Sequence, residues 1–280
     1  MVFRIGPRTS QIIAYAVLLT MTVLTVLILV FIIGFVLKNG FAQLNWRFLT
    51  EKTFEMGKEG GILPSIVGTL LIAFFSILIA TPLGVGSAIY LSEYTKAGSL
   101  RRIISFGADC LAGVPSIIFG LFGFIFFVIT LKLGWSILSG SLTLALMILP
   151  TIIRTSEEAI KAVPRSYREI SYSLGGGKFD TIAKVVLPTA IPGILTGIVL
   201  GIGRAVGETA AVIFTAGASL NIPASVFASS RTLAVHFYIL AREGISMPKA
   251  YGTATVLIIL ILCINFIAYR LMHRYMARYY

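Results

Sequence analysis

The run PTAIPGILTGIVLGIGRAVGETAAVIFTA, residues 188–216, decides the fold, because it is long and apolar enough to cross a bilayer. Its charged residues are Arg204 and Glu208, four positions apart. On one continuous helix they lie one turn apart on the same face. A charge at membrane depth costs from ~2.5 kcal/mol to far more, so such residues usually face a cavity or partner and mark a substrate path.

The composition of the whole chain supports a membrane protein. The 280 residues are 57% hydrophobic and only 12% charged, with a mean hydropathy of +0.95, whereas a soluble domain carries about 25% charged residues. The net charge of +12 lies mainly in short loops between apolar runs. Anionic lipid and membrane topology explain that distribution better than nucleic acid does.

Six apolar runs are long enough to span as helices, and we expect an all-α integral membrane protein. The predicted spans are residues 12–37, 65–91, 103–131, 135–154, 188–216 and 250–272. The first is too long for a signal peptide and is predicted to be a retained anchor. With the N-terminus inside, 14 Lys and Arg residues lie in inner segments and 8 in outer ones. The positive-inside rule then puts both termini in the cytoplasm.

This topology divides the chain into an anchor helix with an outer loop (1–64), a permease core (65–272) that contains a cytoplasmic loop (155–187), and a tail (273–280). The outer segment 38–64 is predicted to be either a docking segment or an interfacial helix held by Trp46 and Phe48. Residues 225–244 are predicted to form a surface helix, on which His236 packs and binds no ligand. Cys110 and Cys263 lie in apolar runs, and no cofactor, disulfide or metal site is expected.

The third span contains two weaker candidates for function. Asp109 is expected to form an ion pair with Arg101 or Arg102, in preference to a transport role. Pro115 is expected to break or kink the helix, so that Ser116 presents a hydroxyl and a backbone N–H to an anion.

The cytoplasmic loop has the sequence EEAIKAVPRSYREISYSLGGGKFDTIAKVVLP, residues 157–188. The helical spacing of its apolar residues predicts a helix, and the three glycines from Gly175 predict that this helix ends in a left-handed turn. Pro188 predicts the start of the fifth span. Exposed apolar residues at 170, 172 and 174 indicate a protein partner. A helix on the membrane surface is the alternative interpretation.

The segment 169–188 resembles the EAA loop of type I ABC-importer permeases. The matching positions are Glu169, Gly175, Val185, Leu187 and Pro188, and the departures are Ile170–Ser171 in place of two alanines and Val185 in place of isoleucine. In that family the loop is the coupling helix that inserts into a cleft on the ATPase subunit. The resemblance therefore assigns ATPase coupling to Glu169, Ile170, Ser171, Gly175, Leu187 and Pro188.

Four further runs are similar to the phosphate-importer permeases, and residues 159–168 and the C-terminal part resemble the PstA-type subunit most. These runs are GGILPSIVGTLL (60–71), ATPLGVGSAIYLSEY (80–94), LAGVPSIIFGLFG (111–123) and ILTGIVLGIGRAVGETA (194–210). The resemblance implies a six-span type I permease that moves inorganic phosphate. It also implies three partners: a PstC-type second permease, a PstB-type ATPase dimer and an external PstS-type phosphate-binding protein.

The residues fit a non-catalytic subunit, since the sequence has no G-x-x-x-x-G-K-[ST] loop with which to use ATP itself. Within the substrate path, Arg204 is predicted to hold the oxyanion, Glu208 to neutralise Arg204 when the path is empty, and Ser116 to assist. A purely structural Arg204–Glu208 ion pair is the alternative. Other readings are a permease for sulfate or molybdate, a stand-alone secondary anion carrier, and a membrane scaffold.

Overall fold

A computed structural model describes residues 6–95 and 98–279. Two of the 14 basic residues counted in the inner segments, Arg4 and Lys96, lie outside these residues, as does residue 280 of the predicted tail. The chain is almost entirely helical, as predicted. Its helices are α1 (Pro7–Gly40), α2 (Trp46–Thr50), α3 (Leu63–Ile89), α4 (Ser99–Ala112), α5 (Ser116–Gly123), α6 (Ile137–Ala162), α7 (Arg165–Ser173), α8 (Lys178–Thr181), α9 (Leu187–Gly207), α10 (Ala210–Thr215), α11 (Leu233–Arg242) and α12 (Met247–Tyr279).

Three of these helices continue or begin as π-helical turns. The segment Tyr90–Tyr94 extends α3, Phe124–Thr130 extends α5, and Ile182–Val186 leads into α9. Five helical segments are long and apolar enough to cross a membrane by themselves: Pro7–Gln43, Leu63–Tyr94, Ile137–Ala162, Lys178–Gly207 and Met247–Arg274. These five confirm the predicted spans one, two, four, five and six in existence and approximate position.

The predicted third span is not one straight helix. The segments Arg102–Ala112 and Ser116–Thr130 meet at an angle of 100°. The break falls at Gly113–Pro115, where Pro115 has an extended ψ of 140° and is the N-cap of α5. The expected break at Pro115 is therefore confirmed. A proline lacks the N–H that would continue the α4 hydrogen-bond ladder.

The centre of the molecule is formed by α3, α6 and α9. Gly193 packs against Ala159, Gly197 against Thr155 and Gly201 against Ile152, so α9 runs antiparallel to α6. A Cβ atom at Gly197 would lie too close to the Thr155 hydroxyl. Glycine therefore lets these helices approach closely at this contact. The buried side chains Ile148, Ile152 and Val206 belong to the core that results.

The two ends of this bundle differ. At one end, called here the α7 end, α3 finishes, α6 leads into α7, and α9 begins. At the opposite end a cap is formed by α2, by the hairpin of β1 (Thr53–Phe54) and β2 (Glu59–Gly60), and by α11. The long helix α1 packs on α12, where Gly40 contacts Tyr251 and Thr255 and the Phe35 and Tyr251 rings are 5.9 Å apart.

The expectation of a surface helix over residues 225–244 is wrong. Residues 225–232 are not helical, and α11 is not a surface helix, since most of its residues from Leu233 to Leu240 are buried. Thr69 of α3 accepts a hydrogen bond from the Leu233 N–H at 2.8 Å, which fixes α11 against the core. In the segment 38–64, Phe48 is buried against Ile62 and Leu233, whereas Trp46 is 78% exposed.

Candidate translocation site and coupling surface

Arg204 and Glu208 are not one turn apart on a continuous helix, which corrects the expected ion pair. The helix α9 ends at Gly207, and Glu208 has an extended backbone with ψ of 132°. The Glu208 carboxylate turns to the next helix, where its Oε1 accepts a hydrogen bond from the Ala211 N–H at 3.2 Å. Because this carboxylate caps α10, it does not neutralise Arg204 in this structure.

Arg204 lies near the middle of the bundle. The contacts of Gly193, Gly197 and Gly201 with α6 advance by about one turn at each step. Continuing the same register by three residues sets Arg204 level with the centre of α6. Arg204 is half-buried, and it has no ion pair or hydrogen bond within the described residues 6–95 and 98–279. The predicted substrate-path arginine is thus a mid-depth cation that no described carboxylate pairs with.

The second broken span ends at the same level. Gly120 of α5 packs on Ala211 of α10, and Gly123 packs on Thr215, so these two helices run parallel. Following that register back by about one turn sets Ser116 level with the end of α9. Both helix breaks, at Gly113–Pro115 and at Glu208–Thr209, therefore lie at about the same level of the bundle. Discontinuous helices of this kind place free backbone N–H groups inside a membrane, where they bind anions.

Ser116 is the first residue of α5 and is half-buried. The Ile118 N–H already donates to the Pro115 carbonyl at 3.0 Å, so the two N–H groups before it are the ones with no helical acceptor. The register of α5 on α10 sets Ser116 at about the same level of the bundle as the break that separates Arg204 from Glu208, so the substrate path stays a prediction for these three residues. In contrast to the sequence prediction, Glu208 does not share a helix with Arg204, since it lies beyond the end of α9 and contacts α10.

Asp109 pairs with Arg154 of α6 and not with Arg102, whereas the side chain of Arg101, the other expected partner, lies outside the described part of the chain. The Arg154 Nε donates to Asp109 Oδ1 at 2.8 Å, and its Nη2 donates to the Ser105 carbonyl at 2.9 Å. Arg154 also contacts the buried Glu157, which Lys161 Nζ approaches at 2.6 Å. The local sequence favoured a neighbour on α4, but the 100° bend turns this face of α4 to α6. These contacts attach α4, the first half of the broken span, to α6.

The predicted coupling loop folds as the sequence indicates. Leu174 ends α7, and Gly175 follows with a left-handed φ of +84°. The Gly176 N–H donates to the Ser171 carbonyl at 2.9 Å and the Gly175 N–H to Tyr172 at 3.0 Å. This pair of bonds is the Schellman arrangement that stops a helix at a glycine.

An apolar surface is exposed on this loop. Leu174 is 84% exposed and Phe179 is 75% exposed, and Ile170 is also exposed. A groove of about 500 Å³ runs beside them, with Tyr167 and Lys184 among its lining residues. Such a surface on a short amphipathic helix is typical of a protein-binding site.

The six predicted coupling residues have different positions on this loop. Glu169 and Ile170 lie on the exposed face of α7. Ser171 points inward, where its hydroxyl hydrogen-bonds with Thr181 at 2.8 Å and joins the two arms of the loop. Gly175 forms the turn, while Leu187 and Pro188 are half-buried in the first turn of α9. Two of the six are thus available to a partner, and four shape the loop.

Sequence reasoning missed Arg168 and Glu93. The Arg168 guanidinium donates to Glu93 Oε1 from Nη2 at 2.6 Å and from Nε at 3.2 Å. The two residues are 75 positions apart, so no local pattern connects them. The available signal was a carboxylate at the very end of an apolar run, beside a loop rich in basic residues.

The cap is organised by Arg231, which is only 4% exposed. Its guanidinium donates to the carbonyls of Ala218 at 3.1 Å and Met56 at 3.3 Å, and it lies 3.4 Å from His236 Nδ1. Burial lowers the pKa of Arg231. Burial, with the positive charges of Arg231 and Lys249, lowers the pKa of His236 to about 3. His236 is therefore a neutral packed residue, as the sequence predicted.

Comparisons with known proteins identify the family. A family model for the inner membrane component of binding-protein-dependent transport systems matches residues 80–279. The chain belongs to this family of permeases. The match begins inside α3, extends through both helix breaks and the α7–α8 loop, and ends with α12. The permease is therefore a multi-pass membrane protein.

Full-length relatives support the same assignment. The permease is 35% identical over 268 residues to the phosphate transport system permease protein PstA 1 of Mycobacterium tuberculosis, covering 93% of this chain and 87% of the relative. It is 35% identical over 257 residues to the probable ABC transporter permease protein YqgI of Bacillus subtilis, covering 86% and 87%.

Solved structures confirm the type I importer fold. A bacterial ABC transporter that imports the acidic polysaccharide alginate matches with a TM-score of 0.67 at 17% identity, over 94% of this chain and 95% of that chain. The MetNI methionine ABC transporter in an inward-facing conformation matches with a TM-score of 0.65 at 20% identity, over 76% and 95%. At these identities the likeness concerns the fold alone.

Proposed function

We propose that this chain is the membrane-spanning permease subunit of an ATP-driven importer that moves inorganic phosphate across the cell membrane. The observation that carries the proposal is Arg204, a mid-depth cation with no ion pair in the part of the chain that the structure describes, set near the level of two helix breaks. The 35% identity to a phosphate transport permease supports phosphate as the anion.

The chemistry of these residues suits a tetrahedral oxyanion. The Arg204 guanidinium can donate two parallel hydrogen bonds and keeps its charge in a poorly hydrated environment. Ser116 adds a hydroxyl and a backbone N–H from the start of α5. Only Oε1 of Glu208 is used by the α10 cap. Its second carboxylate oxygen can accept a hydrogen bond from hydrogen phosphate, which still carries a proton.

The energy must come from outside this chain, and the α7–α8 loop is the proposed point of entry. We assign its exposed face to an ATPase dimer of the PstB type, which hydrolyses ATP. A PstC-type permease completes the path, and a PstS-type binding protein delivers phosphate to the cap. In this assembly the α7 end and both chain termini face the cytoplasm, and residues 65–272 form the permease core.

Replacing Arg204 tests the proposal directly. In a full transporter reconstituted in liposomes, Arg204→Gln is expected to abolish ATP-dependent phosphate uptake, because a neutral amide cannot balance the charge of phosphate. The matched control is Arg8→Gln, the same change at an exposed position in the first turn of α1. Uptake is measured with radiolabelled phosphate after the amount of assembled complex has been equalised.

The other outcomes separate the alternative functions. Normal uptake by Arg204→Gln would refute the substrate role of Arg204. Competition by sulfate or molybdate as strong as that by unlabelled phosphate would indicate a permease for another oxyanion. Uptake without ATPase or ATP would identify a secondary carrier.

A further inference from the structure

We propose that Arg168 and Glu93 connect the coupling helix α7 to α3 and α6, so that movement of α7 reaches the translocation site through three helices and not through α9 alone. The inference rests on the proposed function, since α7 transmits movement only if an ATPase binds it. It concerns a positioning role, because neither residue lies near Arg204.

Arg168 is a junction between three elements. It belongs to α7, and its Nε and Nη2 both donate to Glu93 at the end of α3. Its Nη1 donates to the Val163 carbonyl at 2.8 Å, and its Nη2 also donates to the Ile160 carbonyl at 3.0 Å. These two carbonyls lie at the C-terminal end of α6, where Val163 is the C-cap and its own N–H makes a long 3.4 Å hydrogen bond to the Ile160 carbonyl. Carbonyls at a helix end lack the regular helical N–H partners and take side-chain donors. One planar guanidinium therefore satisfies acceptors on two spans, which a lysine cannot do with its single point charge.

The side chains of this junction are largely buried. Arg168 is 17% exposed and Glu93 is 9% exposed. By contrast, the ion pair of Lys184 with Asp180 on the same loop is 2.7 Å long but more than half exposed on both partners. Exposed pairs of that kind contribute about 0–1 kcal/mol because water and salt screen them. A buried, forked pair resists separation far more strongly.

The second arm of the loop also contacts the end of α3. Lys178 of α8 places its Nζ 4.6 Å from the centroid of the Tyr94 ring, a cation–π contact. Ser171 and Thr181 join the two arms to each other. The π-helical turn Tyr90–Tyr94 thus holds both arms, through Glu93 and Tyr94. Irregular turns of this type are frequent at functional sites.

Next to this junction, the three spans pack as one block. A buried apolar cluster joins Ala88 of α3, Ile160 of α6 and Ala190 of α9. Because close-packed cores transmit displacement and do not absorb it, pulling Glu93 and the end of α6 moves this block. The same α6 extends to the level of Arg204, and α3 packs beside it through Gly84 and Ile152. The junction therefore gives α7 a direct connection to the helices that surround the translocation site.

The test is to measure phosphate transported per ATP hydrolysed. In the complete reconstituted transporter, Glu93→Gln keeps the shape of the side chain and Arg168→Lys keeps its positive charge. Each variant weakens the two-donor contact between positions 168 and 93. Both are expected to lower this ratio, by about tenfold for Glu93→Gln and less for Arg168→Lys. The amount of ATPase that co-purifies with the permease is expected to stay normal, because the exposed face of α7 is unchanged. A loss of stability alone would lower the amount of complex and leave the ratio unchanged.

The matched control is Glu158→Gln, the same chemical change at an exposed position in the last turns of α6. Ratios for Glu93→Gln and Arg168→Lys equal to that of Glu158→Gln would overturn the inference. Loss of ATPase co-purification in both variants would overturn it as well, since the junction would then serve docking and not transmission. Failure of the proposed function itself would appear in the unmodified chain, as absence of ATPase binding or of ATP-dependent uptake.

Discussion

Arg168 at the α7 end and Arg231 in the cap are both largely buried arginines, but they have different partners. Arg168 pairs with a carboxylate on another span and also holds two carbonyls of α6. Arg231 donates to backbone carbonyls of the loops around it and lies beside a neutral histidine. The first arginine joins separate helices, and the second fixes the course of the backbone within one compact cap.

The difference indicates which end of the molecule is built to move. A side-chain ion pair can shift as a unit with the two helices that it joins, whereas an arginine enclosed by carbonyls locks the loops that supply them. The α7 end also exposes apolar residues such as Leu174, while the cap buries α11. We therefore interpret the α7 end as the region that receives movement and the cap as a rigid frame.

The largest effect is expected from removing one partner of the junction. Arg168→Leu should lower the free energy of unfolding by about 3 kcal/mol, because Glu93 is left as an unpaired and poorly hydrated carboxylate. Adding Glu93→Gln to that variant should restore part of the loss, since the uncompensated charge is then gone. Thermal unfolding of the permease in lipid nanodiscs measures both variants.

The matched variant for this comparison is Arg231→Leu. This change leaves the Ala218 and Met56 carbonyls without their donor, but it leaves no unpaired buried charge. We therefore expect the free energy of unfolding to fall by about 2 kcal/mol, from the unsatisfied acceptors. If the double variant at 93 and 168 is no more stable than Arg168→Leu, the ion-pair account of the α7 end is wrong.

An intermediate effect is expected from pH, and it should be confined to the cap. The pKa of His236 is lowered to about 3 in the folded protein, while an unfolded histidine has a pKa of about 6.5. The unfolded chain therefore binds the proton first, and stability that is complete above pH ~6.5 is lost as the pH falls below it. Between pH 7 and pH 5 the loss should be on the order of 1–2 kcal/mol.

His236→Gln should reduce this dependence, whereas His273→Gln, at an exposed position on α12, should leave it unchanged. Hydrogen exchange of α11 at several pH values, followed by mass spectrometry, measures the effect locally. Equal acid sensitivity in the two variants would contradict a role for His236.

The smallest effect is expected from the turn that ends α7. Gly175→Ala should destabilise the turn by about 1 kcal/mol, because a Cβ atom disfavours the left-handed φ of +84°. Gly175→Asn should cost less, since asparagine tolerates this conformation. Faster hydrogen exchange of α7 would report the change. Gly203→Ala is the control, because that glycine is helical and has open space around it. No difference between positions 175 and 203 would argue against the strained turn.

Much of the architecture could be read from the local sequence. The apolar runs predicted five of the spans, since burial in hydrocarbon depends on composition over about 20 residues. The triple glycine and Pro188 predicted the helix stop and the start of α9, because both depend on the backbone properties of one or two residues. Pro115 likewise predicted the break in the third span.

The arrangement of the charged residues could not be read in the same way. Hydropathy does not change when a helix bends by 100° or ends one residue before Glu208. The spacing of Arg204 and Glu208 therefore predicted an ion pair, but the backbone turns between them. Asp109 pairs with Arg154 on another helix, and Arg168 pairs with Glu93, which is 75 positions away in the sequence. Such partners are chosen by packing and not by spacing along the chain.

The sequence by itself determined that this protein spans a membrane, that its α7–α8 loop is an exposed helix and turn, and that an arginine lies within the fifth span. These features follow from hydrophobicity and backbone chemistry, which act over short distances along the chain. Only the tertiary structure decided that Arg204 has no ion pair among residues 6–95 and 98–279, that two helix breaks lie near its level, and that Arg168 joins α7 to α3 and α6. Those features depend on which helices pack together, and the close contacts of Gly120, Gly193 and Gly197 fix that packing.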